Sequence, residues 1–251
     1  MNIGDNGALL VHNNYGTIEN CALINCKINA DTGSVIAPVA SRNYGVIREC
    51  YVQGGSLTAN GTRNTGHGGF VGANEKGGRI SFCWTSMDVT SKGRYAGGFA
   101  GYGYGASGNQ ATITDCFALG NVTADSYSGG FLGRSVYENN VYTNCYAAGT
   151  VTTTGPNGNG FAGGNDPDSS FQYDQGGADS DDNQIVNCYF VSDTASEENF
   201  GAKPITSADA KLDAFVTKLG SGSWTRDESK NDGLPYLKSV KAPEKTTTSK
   251  I

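Results

Sequence analysis

The stretch GGFAGYGYGASGNQATITDCFALGNVTA, residues 97–124, contains three landmarks that recur along the chain. It opens with Gly-Gly-Phe-x-Gly, reaches Ile-x-Asp-Cys after a variable loop, and ends with Val-Thr. The next copy, GGFLGRSVYENNVYTNCYAAGTVT at 129–152, keeps the landmarks in the same order. A unit of about 30 residues therefore repeats, which is typical of a solenoid.

A cysteine marks the same point in six consecutive units. The intervals between them are 29, 33, 33, 29 and 43 residues, and the cysteines are Cys21, Cys50, Cys83, Cys116, Cys145 and Cys188. Runs rich in Ile, Val, Thr, Tyr and Phe, bounded by Gly, Asn and Asp, indicate strands and turns. No helical period precedes residue 206. The sequence predicts an all-β parallel β-helix of about six coils, with three short strands per coil.

A corner is expected immediately before each of these cysteines. The Ile three positions before Cys would lie on the opposite face of a straight strand, so both can point inward only across a bend. Asn and Asp tolerate the left-handed conformation that such a bend requires. They occupy this position in four coils, as Asn20, Asp115, Asn144 and Asn187, whereas Glu49 and Phe82 fit the pattern less well.

The glycines have a structural explanation. Gly accounts for 37 of 251 residues, and the Gly-Gly-Phe-x-Gly elements predict tight bends with positive φ and close backbone approach. Their aromatic residues would stack as one interior ladder, formed by Phe70, Phe99, Phe131 and Phe161. Gly103, Gly105 and Gly108 match G-x-G-x-x-G, but a strand pattern follows them where a dinucleotide site needs a helix.

Composition excludes two classes of partner. The net charge is −6 and Lys and Arg are scattered, so nothing favours nucleic acid. The longest apolar stretches, such as ALLV at 8–11, are far shorter than the ~20 residues of a membrane span. The ladder cysteines are interpreted first as small buried hydrophobic residues. Disulfides between coils and a reactive thiol remain alternatives, and Cys26, off the ladder, is the thiol expected to be most accessible.

The chain divides into three predicted parts. Residues 1–200 hold the repeats, and 201–238 form a C-terminal cap with one short helix between Thr206 and Gly220, covering the open last coil. Residues 239–251 are a polar linker or tail. We expect the chain to be part of a longer multidomain protein.

Two groups of side chains are candidate sites, and no catalytic set is predicted. An aromatic row that should face outward follows the ladder cysteines and is a candidate ligand-binding surface, unless it is covered or stacks only structurally; it comprises Tyr51, Trp84, Phe117, Tyr146 and Tyr189. The acidic loop 163–184 could hold Ca²⁺ through Asp166, Asp168 and Asp174, although its spacing matches no known calcium loop. A solvated loop without cofactor is the simpler interpretation.

The pattern G-G-[FL]-x-G followed by I-x-[ND]-C-[YF]-A-x-G-x-V-T resembles the GLUG-motif repeat, over roughly residues 7–192. The resemblance implies a β-helical bacterial protein that is secreted or on the cell surface and adhesin-like. It predicts a non-catalytic module acting as scaffold or binding a glycan or a host surface protein. Two alternatives remain, a non-catalytic repeat region of a secreted immunoglobulin A peptidase, and a carbohydrate-active β-helix enzyme. The H-E-x-x-H zinc motif of those peptidases is not present in the sequence.

Overall fold

The fold is an all-β parallel solenoid, as predicted. A computed structural model describes residues 6–62, 66–136, 139–155, 158–163, 183–195, 197–220 and 222–244. Four sheets run along the solenoid, and every strand in them pairs in parallel with its counterpart one coil away. We name these sheets walls 1 to 4 in chain order. The predicted three strands per coil are therefore corrected to four walls, the third of which is bent.

The strand bounds follow the repeat. Wall 1 contains Asn6–Ala8, Val35–Ala37, Gly66–Gly68, Tyr95–Gly97, Ser128–Gly129 and Gly158–Asn159. Wall 2 contains Val11–Asn14, Ala40–Asn43, Val71–Asn74, Ala100–Tyr104 and Leu132–Val136. Wall 4 contains Lys27–Ala30, Ser56–Ala59, Asp88–Ser91, Val122–Ala124 and Val151–Thr153.

Wall 3 has two halves on either side of a corner. The first half contains Thr17–Glu19, Val46–Arg48, Asn140–Thr143 and Gln184–Val186. The second half contains Ala22–Ile24, Tyr51–Gln53, Tyr146–Ala147, Tyr189–Val191 and Lys203–Ile205. Two long strands, Arg79–Thr85 and Ala111–Ala118, run through both halves. Five coils have strands in all four walls, and the sixth, within the described residues, has strands only in walls 1 and 3.

The corner before the ladder cysteine is present in every coil. The six residues at this position have φ between 51° and 55°, and they are Asn20, Glu49, Phe82, Asp115, Asn144 and Asn187. Glu49 and Phe82 thus adopt the same left-handed conformation as the Asn and Asp residues. Stacking on the coils above and below imposes the corner even where the residue disfavours it.

The glycines of Gly-Gly-Phe-x-Gly allow walls 1 and 2 to pack closely. A Cβ on Gly97 would overlap the carbonyl oxygen of Ala100 and lie 2.6 Å from the nitrogen of Gly133. A Cβ on Gly72 would lie 2.7 Å from the carbonyl oxygen of Ser41. These glycines do not have positive φ, so that part of the expectation is wrong and the close approach alone is confirmed.

Two ladders fill the core. The first is a stack of phenylalanine rings whose centroids are 4.7, 4.8 and 4.9 Å apart, which matches the spacing of neighbouring strands; its members are Phe70, Phe99, Phe131 and Phe161. The second is the cysteine ladder. The thiols of Cys50 and Cys83 each donate to the carbonyl two residues earlier, over 3.1 Å. All seven cysteines are free, and Cys21 and Cys26 are the two that are half-buried.

The C-terminal segment, which we define as residues 206–244, contains the remaining elements. They are a 3-10 turn at Asp209–Lys211, an α-helix at Asp213–Lys218, antiparallel strands at Trp224–Thr225 and Tyr236–Leu237, and a 3-10 turn at Asn231–Gly233. The segment lies along the side of wall 3 rather than over the end of the last coil, which corrects the predicted capping position. Lys203–Ile205, predicted to belong to the cap, continues wall 3 as a strand.

Candidate functional site

The aromatic row has the regular stacking that the repeat predicts. Ring centroids are 4.9 Å apart for Tyr51 and Trp84, 5.8 Å for Trp84 and Phe117, and 5.1 Å for Phe117 and Tyr146. Tyr146 and Tyr189 are register partners in neighbouring coils. The row therefore lies on the outer side of the second half of wall 3, opposite the cysteine ladder.

The expected exposure of this row is wrong for its three central members. Trp84, Phe117 and Tyr146 are 0% exposed, and Tyr51 and Tyr189 are partly buried. They form a second hydrophobic cluster with residues of the C-terminal segment, among them Phe215, Leu219, Trp224 and Leu237. Because the row is the docking surface of the chain's own C-terminal segment, we do not assign it a ligand.

Polar contacts fix the segment on the row. The indole Nε1 of Trp84 donates to the carbonyl of Lys241 over 2.9 Å, and the hydroxyl of Tyr146 donates to the carbonyl of Pro235 over 2.6 Å. Residues 239–244 therefore pack on the solenoid, and the predicted start of the polar tail at residue 239 is too early.

A buried serine–histidine pair lies inside the solenoid. Nδ1 of His67 is 2.7 Å from Oγ of Ser91, and the two residues are 0% and 2% exposed. Burial lowers the pKa of His67 to about 4, so its imidazole is neutral at pH 7. The pair lies where no substrate can reach it in this conformation, so we interpret it as a core hydrogen bond.

Tyrosines, an arginine and a buried glutamate form a partly exposed polar surface on the outer side of wall 2. We name it the tyrosine–arginine face and define it as Tyr15, Arg42, Tyr44, Glu75 and Tyr102. Nη1 of Arg42 pairs with Oε1 of Glu75 and donates to the hydroxyl of Tyr102 over 2.6 Å. The hydroxyl of Tyr102 donates to the same Glu75 oxygen over 3.2 Å. Burial, followed by the negative charge of Glu75, raises the pKa of Tyr102, so the phenol remains a donor.

The aromatic part of the face is most open to solvent at Tyr15, whereas Tyr44 and Tyr102 are partly buried. The rings of Tyr15 and Tyr44 stack with centroids 4.9 Å apart and an interplanar angle of 10°, and Tyr15 is 73% exposed. These tyrosines occupy equivalent Asn-Tyr-Gly turns in coils one and two, at residues 14–16 and 43–45. Sequence reasoning missed the face because its residues come from four coils, although the repeated Asn-Tyr-Gly turn was a visible signal.

Two further pairs of a cation and an aromatic ring lie nearby, one at the exposed Lys76 and one at Arg134, which is 2% exposed. Nζ of Lys76 lies 4.6 Å from the ring centroid of Tyr104. The guanidinium carbon of Arg134 lies 5.2 Å from the ring of Tyr95, whose hydroxyl accepts from Nη1 of Arg134 over 2.6 Å. Cations therefore pair with aromatic rings of walls 1 and 2 in several coils.

The predicted calcium ligands lie outside the described residues. Asp166, Asp168 and Asp174 all belong to residues 164–182, so the calcium hypothesis stays a prediction. Within the described ranges, no group of three or more His, Cys, Asp or Glu side chains is arranged to hold a metal ion. In the same ranges, no helix is long and apolar enough to cross a membrane.

Comparisons with known proteins agree with a β-helical repeat protein. Residues 92–123 match the GLUG motif, which confirms the resemblance for coil four. The chain is similar to a crystal structure from Bacteroides ovatus described as a "putative immunoglobulin A1 protease", with a TM-score of 0.64 and 17% identity, over 96% of this chain and 76% of that one. At this identity the similarity establishes the fold alone. No curated protein sequence shows significant similarity to the chain.

Proposed function

We propose that this chain is a non-catalytic β-helix module of a secreted or surface-exposed bacterial protein, adhesin-like, and that it binds glycans through the tyrosine–arginine face. The observation that carries the proposal is the Tyr15–Tyr44 stack beside Arg42, with Tyr15 73% exposed. Stacked phenol rings offer a flat apolar surface for the C–H face of a sugar and polar tips for its hydroxyls.

The arginine is pre-organised for binding. Glu75 and Tyr102 hold the guanidinium of Arg42, whose side chain is 30% exposed. A side chain already fixed in one rotamer loses less conformational entropy when a ligand binds. The face therefore combines an exposed stacking surface with a fixed donor, which is the chemistry that a hydroxyl-rich ligand requires.

The extracellular setting is supported by the GLUG motif at residues 92–123 and by the similar Bacteroides ovatus structure. The non-catalytic assignment is supported by the positions of the reactive groups. The serine–histidine pair of the described residues is buried in the core, and Glu75 is 3% exposed in its side chain and paired with Arg42.

A glycan array with matched variants tests the binding function. The array compares three proteins at equal concentration: the wild-type chain, the double variant Tyr15→Ala/Tyr44→Ala, and the control Leu212→Ala. The control removes a 51% exposed side chain on the C-terminal segment. We expect the double variant to lose at least tenfold in affinity while the control binds normally and both keep their circular dichroism spectra. Absence of any glycan ligand, or equal binding by the double variant, contradicts the proposal.

One other function has a specific observation in its favour. The similar structure is described as an immunoglobulin A1 protease, so the chain is a candidate for the repeat region of a secreted peptidase. Surface plasmon resonance on immobilised immunoglobulin A1 distinguishes the two functions. Binding that persists in Tyr15→Ala/Tyr44→Ala would favour the peptidase region over the glycan module.

A carbohydrate-active β-helix enzyme is the remaining alternative. Incubation with a panel of polysaccharides, followed by assays for new reducing ends and unsaturated products, tests it. The proposed function predicts neither product, even for a glycan that the array shows to bind.

A further inference from the structure

Among the residues that the structure describes, the sixth coil has no strand in wall 4. After Tyr189–Val191 the chain leaves the coil and returns as Lys203–Ile205, which pairs with Tyr189–Val191 in wall 3. Within the described residues, Val151–Thr153 therefore pairs on one side only, with Val122–Ala124 of the coil before. In the described part of the chain, wall 4 thus ends in an unpaired strand edge.

The hydrogen-bond series shows which groups that edge presents. The N–H of Val89 donates to the carbonyl of Asn121 in the next coil, and the N–H of Val122 donates to the carbonyl of Thr150, over 2.8 and 2.9 Å. The N–H of Thr154 donates back to the carbonyl of Ala124 over 3.2 Å. By this alternation the N–H and C=O groups of Val151 and Thr153 point away from coil four, toward the position of the missing strand in coil six.

A cleft of about 800 Å³ occupies that position, and we name it the wall-4 cleft. Ala148–Val151 line one side and Gly158–Gly160 line another. The rest of the lining is formed by Phe190–Ala195, Glu197–Asn199 and Ser207. Two other parts of the last coil are covered by described residues. Oδ1 of Asn199 accepts from the N–H groups of Phe161 and Ala162 over 3.0 and 2.7 Å, and Lys203–Ile205 covers wall 3.

The core beneath the cleft lacks its last layer. A column of apolar side chains points inward from wall 4, and three of its members are 0–1% exposed: Leu57, Val89 and Val122. Val151, the next member of this column, is only partly buried. The next inward position along each strand holds a small residue: Ala30, Ala59, Ser91, Ala124 and Thr153. An occupant that continues wall 4 needs an apolar residue over Val151 and a small residue over Thr153.

The cleft has an acidic rim. Asp193, Glu197 and Glu198 line it. Asp193 accepts hydrogen bonds from the N–H and hydroxyl of Ser207, and Nζ of Lys203 lies 3.8 Å from Glu198. Lys203 thus pairs with one of these three carboxylates, and basic side chains complement the charge that remains.

We propose that the wall-4 cleft binds an extended basic segment of a partner protein, which adds to Val151–Thr153 as a sixth parallel strand. The segment has the order basic, apolar, any residue, small, basic. Backbone hydrogen bonds to Val151 and Thr153 supply the pairing, and the inward pockets and acidic rim select the sequence. The proposal is independent of glycan binding, since the tyrosine–arginine face lies on wall 2.

A labelled peptide, Gly-Lys-Val-Thr-Ala-Lys-Gly, is the probe, and its N-methylated forms test the pairing. By the alternation above, the Thr N–H points toward Val151–Thr153 and the Val N–H points away. We expect N-methylation at Thr to abolish binding measured by fluorescence anisotropy, and N-methylation at Val to change it less than threefold. Equal loss from both methyl groups, or no binding by the parent peptide at millimolar protein, overturns the proposal.

Charge reversal on the protein supplies the matched control. The variant Glu197→Lys/Glu198→Lys should bind the parent peptide with at least tenfold lower affinity. The control Asp31→Lys/Asp209→Lys makes the same change in net charge at exposed positions outside the cleft and should bind the peptide with unchanged affinity. Sedimentation of the wild-type chain identifies a competing occupant. Self-association that disappears in Glu197→Lys/Glu198→Lys would mean that a second copy fills the cleft, which overturns the partner segment.

Discussion

Trp224 donates its indole Nε1–H to Oδ1 of Asp115 over 3.0 Å, which joins the C-terminal segment to a corner of the solenoid. Asp115 also accepts from Nδ2 of Asn144 over 3.2 Å and has φ of 51°. One carboxylate thus forms the left-handed corner of coil four and anchors the segment that covers the aromatic row. Burial raises its pKa, while the hydrogen bonds from Asn144, Trp224 and Ser223 oppose that rise.

Two substitutions of Asp115 test whether its charge or its hydrogen-bonding shape stabilises the fold. Asp115→Asn keeps an acceptor and tolerates the left-handed corner, so we expect its unfolding free energy at pH 7 to stay within about 0.5 kcal/mol of wild type. Asp115→Ala loses the acceptor and the tolerance of the left-handed corner, so it should lower the unfolding free energy by about 2 kcal/mol or more. Urea denaturation followed by tryptophan fluorescence measures both values. Equal losses in the two variants would contradict the assigned role.

The same residue predicts a pH effect of known sign. A carboxyl whose pKa is raised in the folded state binds its proton more tightly when folded, so the Asp115 contribution to stability increases as pH falls. The stability of Asp115→Asn relative to wild type should therefore decline on acidification from pH 7. An increase would be inconsistent with a buried, desolvated carboxylate.

His67 predicts a pH effect of the opposite sign. Its pKa is about 4 in the folded chain, against about 6.5 when unfolded, so the unfolded state binds more protons between these values. Acidification from pH 6.5 to pH 4 should lower the unfolding free energy through this residue by up to about 3 kcal/mol. Subtracting the unfolding free energy of His67→Gln from that of the wild type at each pH isolates the contribution of His67. A difference that does not change with pH would contradict the low pKa of His67.

The close packing of walls 1 and 2 predicts unequal responses at two glycines. Gly97→Ala places a Cβ against the carbonyl of Ala100 and should cost about 3 kcal/mol or prevent folding. Gly16→Ala, where no atom lies within 4 Å, should be neutral or stabilise by about 0.5 kcal/mol. Thermal unfolding by circular dichroism compares them, and similar melting temperatures would contradict the packing argument.

Exchanging the residue types of two corners should change the stability of the chain in opposite directions. Glu49 has φ of 53° at the position where Asn20 has 55°. Glu49→Asn should stabilise the chain by about 1 kcal/mol, and Asn20→Glu should destabilise it by a similar amount, because Asn tolerates this conformation better. Chemical denaturation measures both, and changes of the same sign would show that other contacts of these side chains dominate.

The sequence by itself determined the repeating architecture. The counterparts of Cys116 recur in all six coils and those of Phe99 in four, so periodicity alone predicted the phenylalanine ladder, the inward cysteines and the corner before them. Each of these features depends on the nearest coil on either side. A local pattern repeated at a fixed interval carries that information.

The tertiary structure decided which surfaces remain available. Nothing local to Trp84 or Tyr146 indicates that a segment more than 80 residues later covers them, as the hydrogen bond from Tyr146 to Pro235 shows. The tyrosine–arginine face and the wall-4 cleft likewise join residues from separate coils. Solenoid stacking follows from nearest-neighbour patterns, whereas docking of non-repeated chain depends on three-dimensional complementarity, which no repeat period encodes.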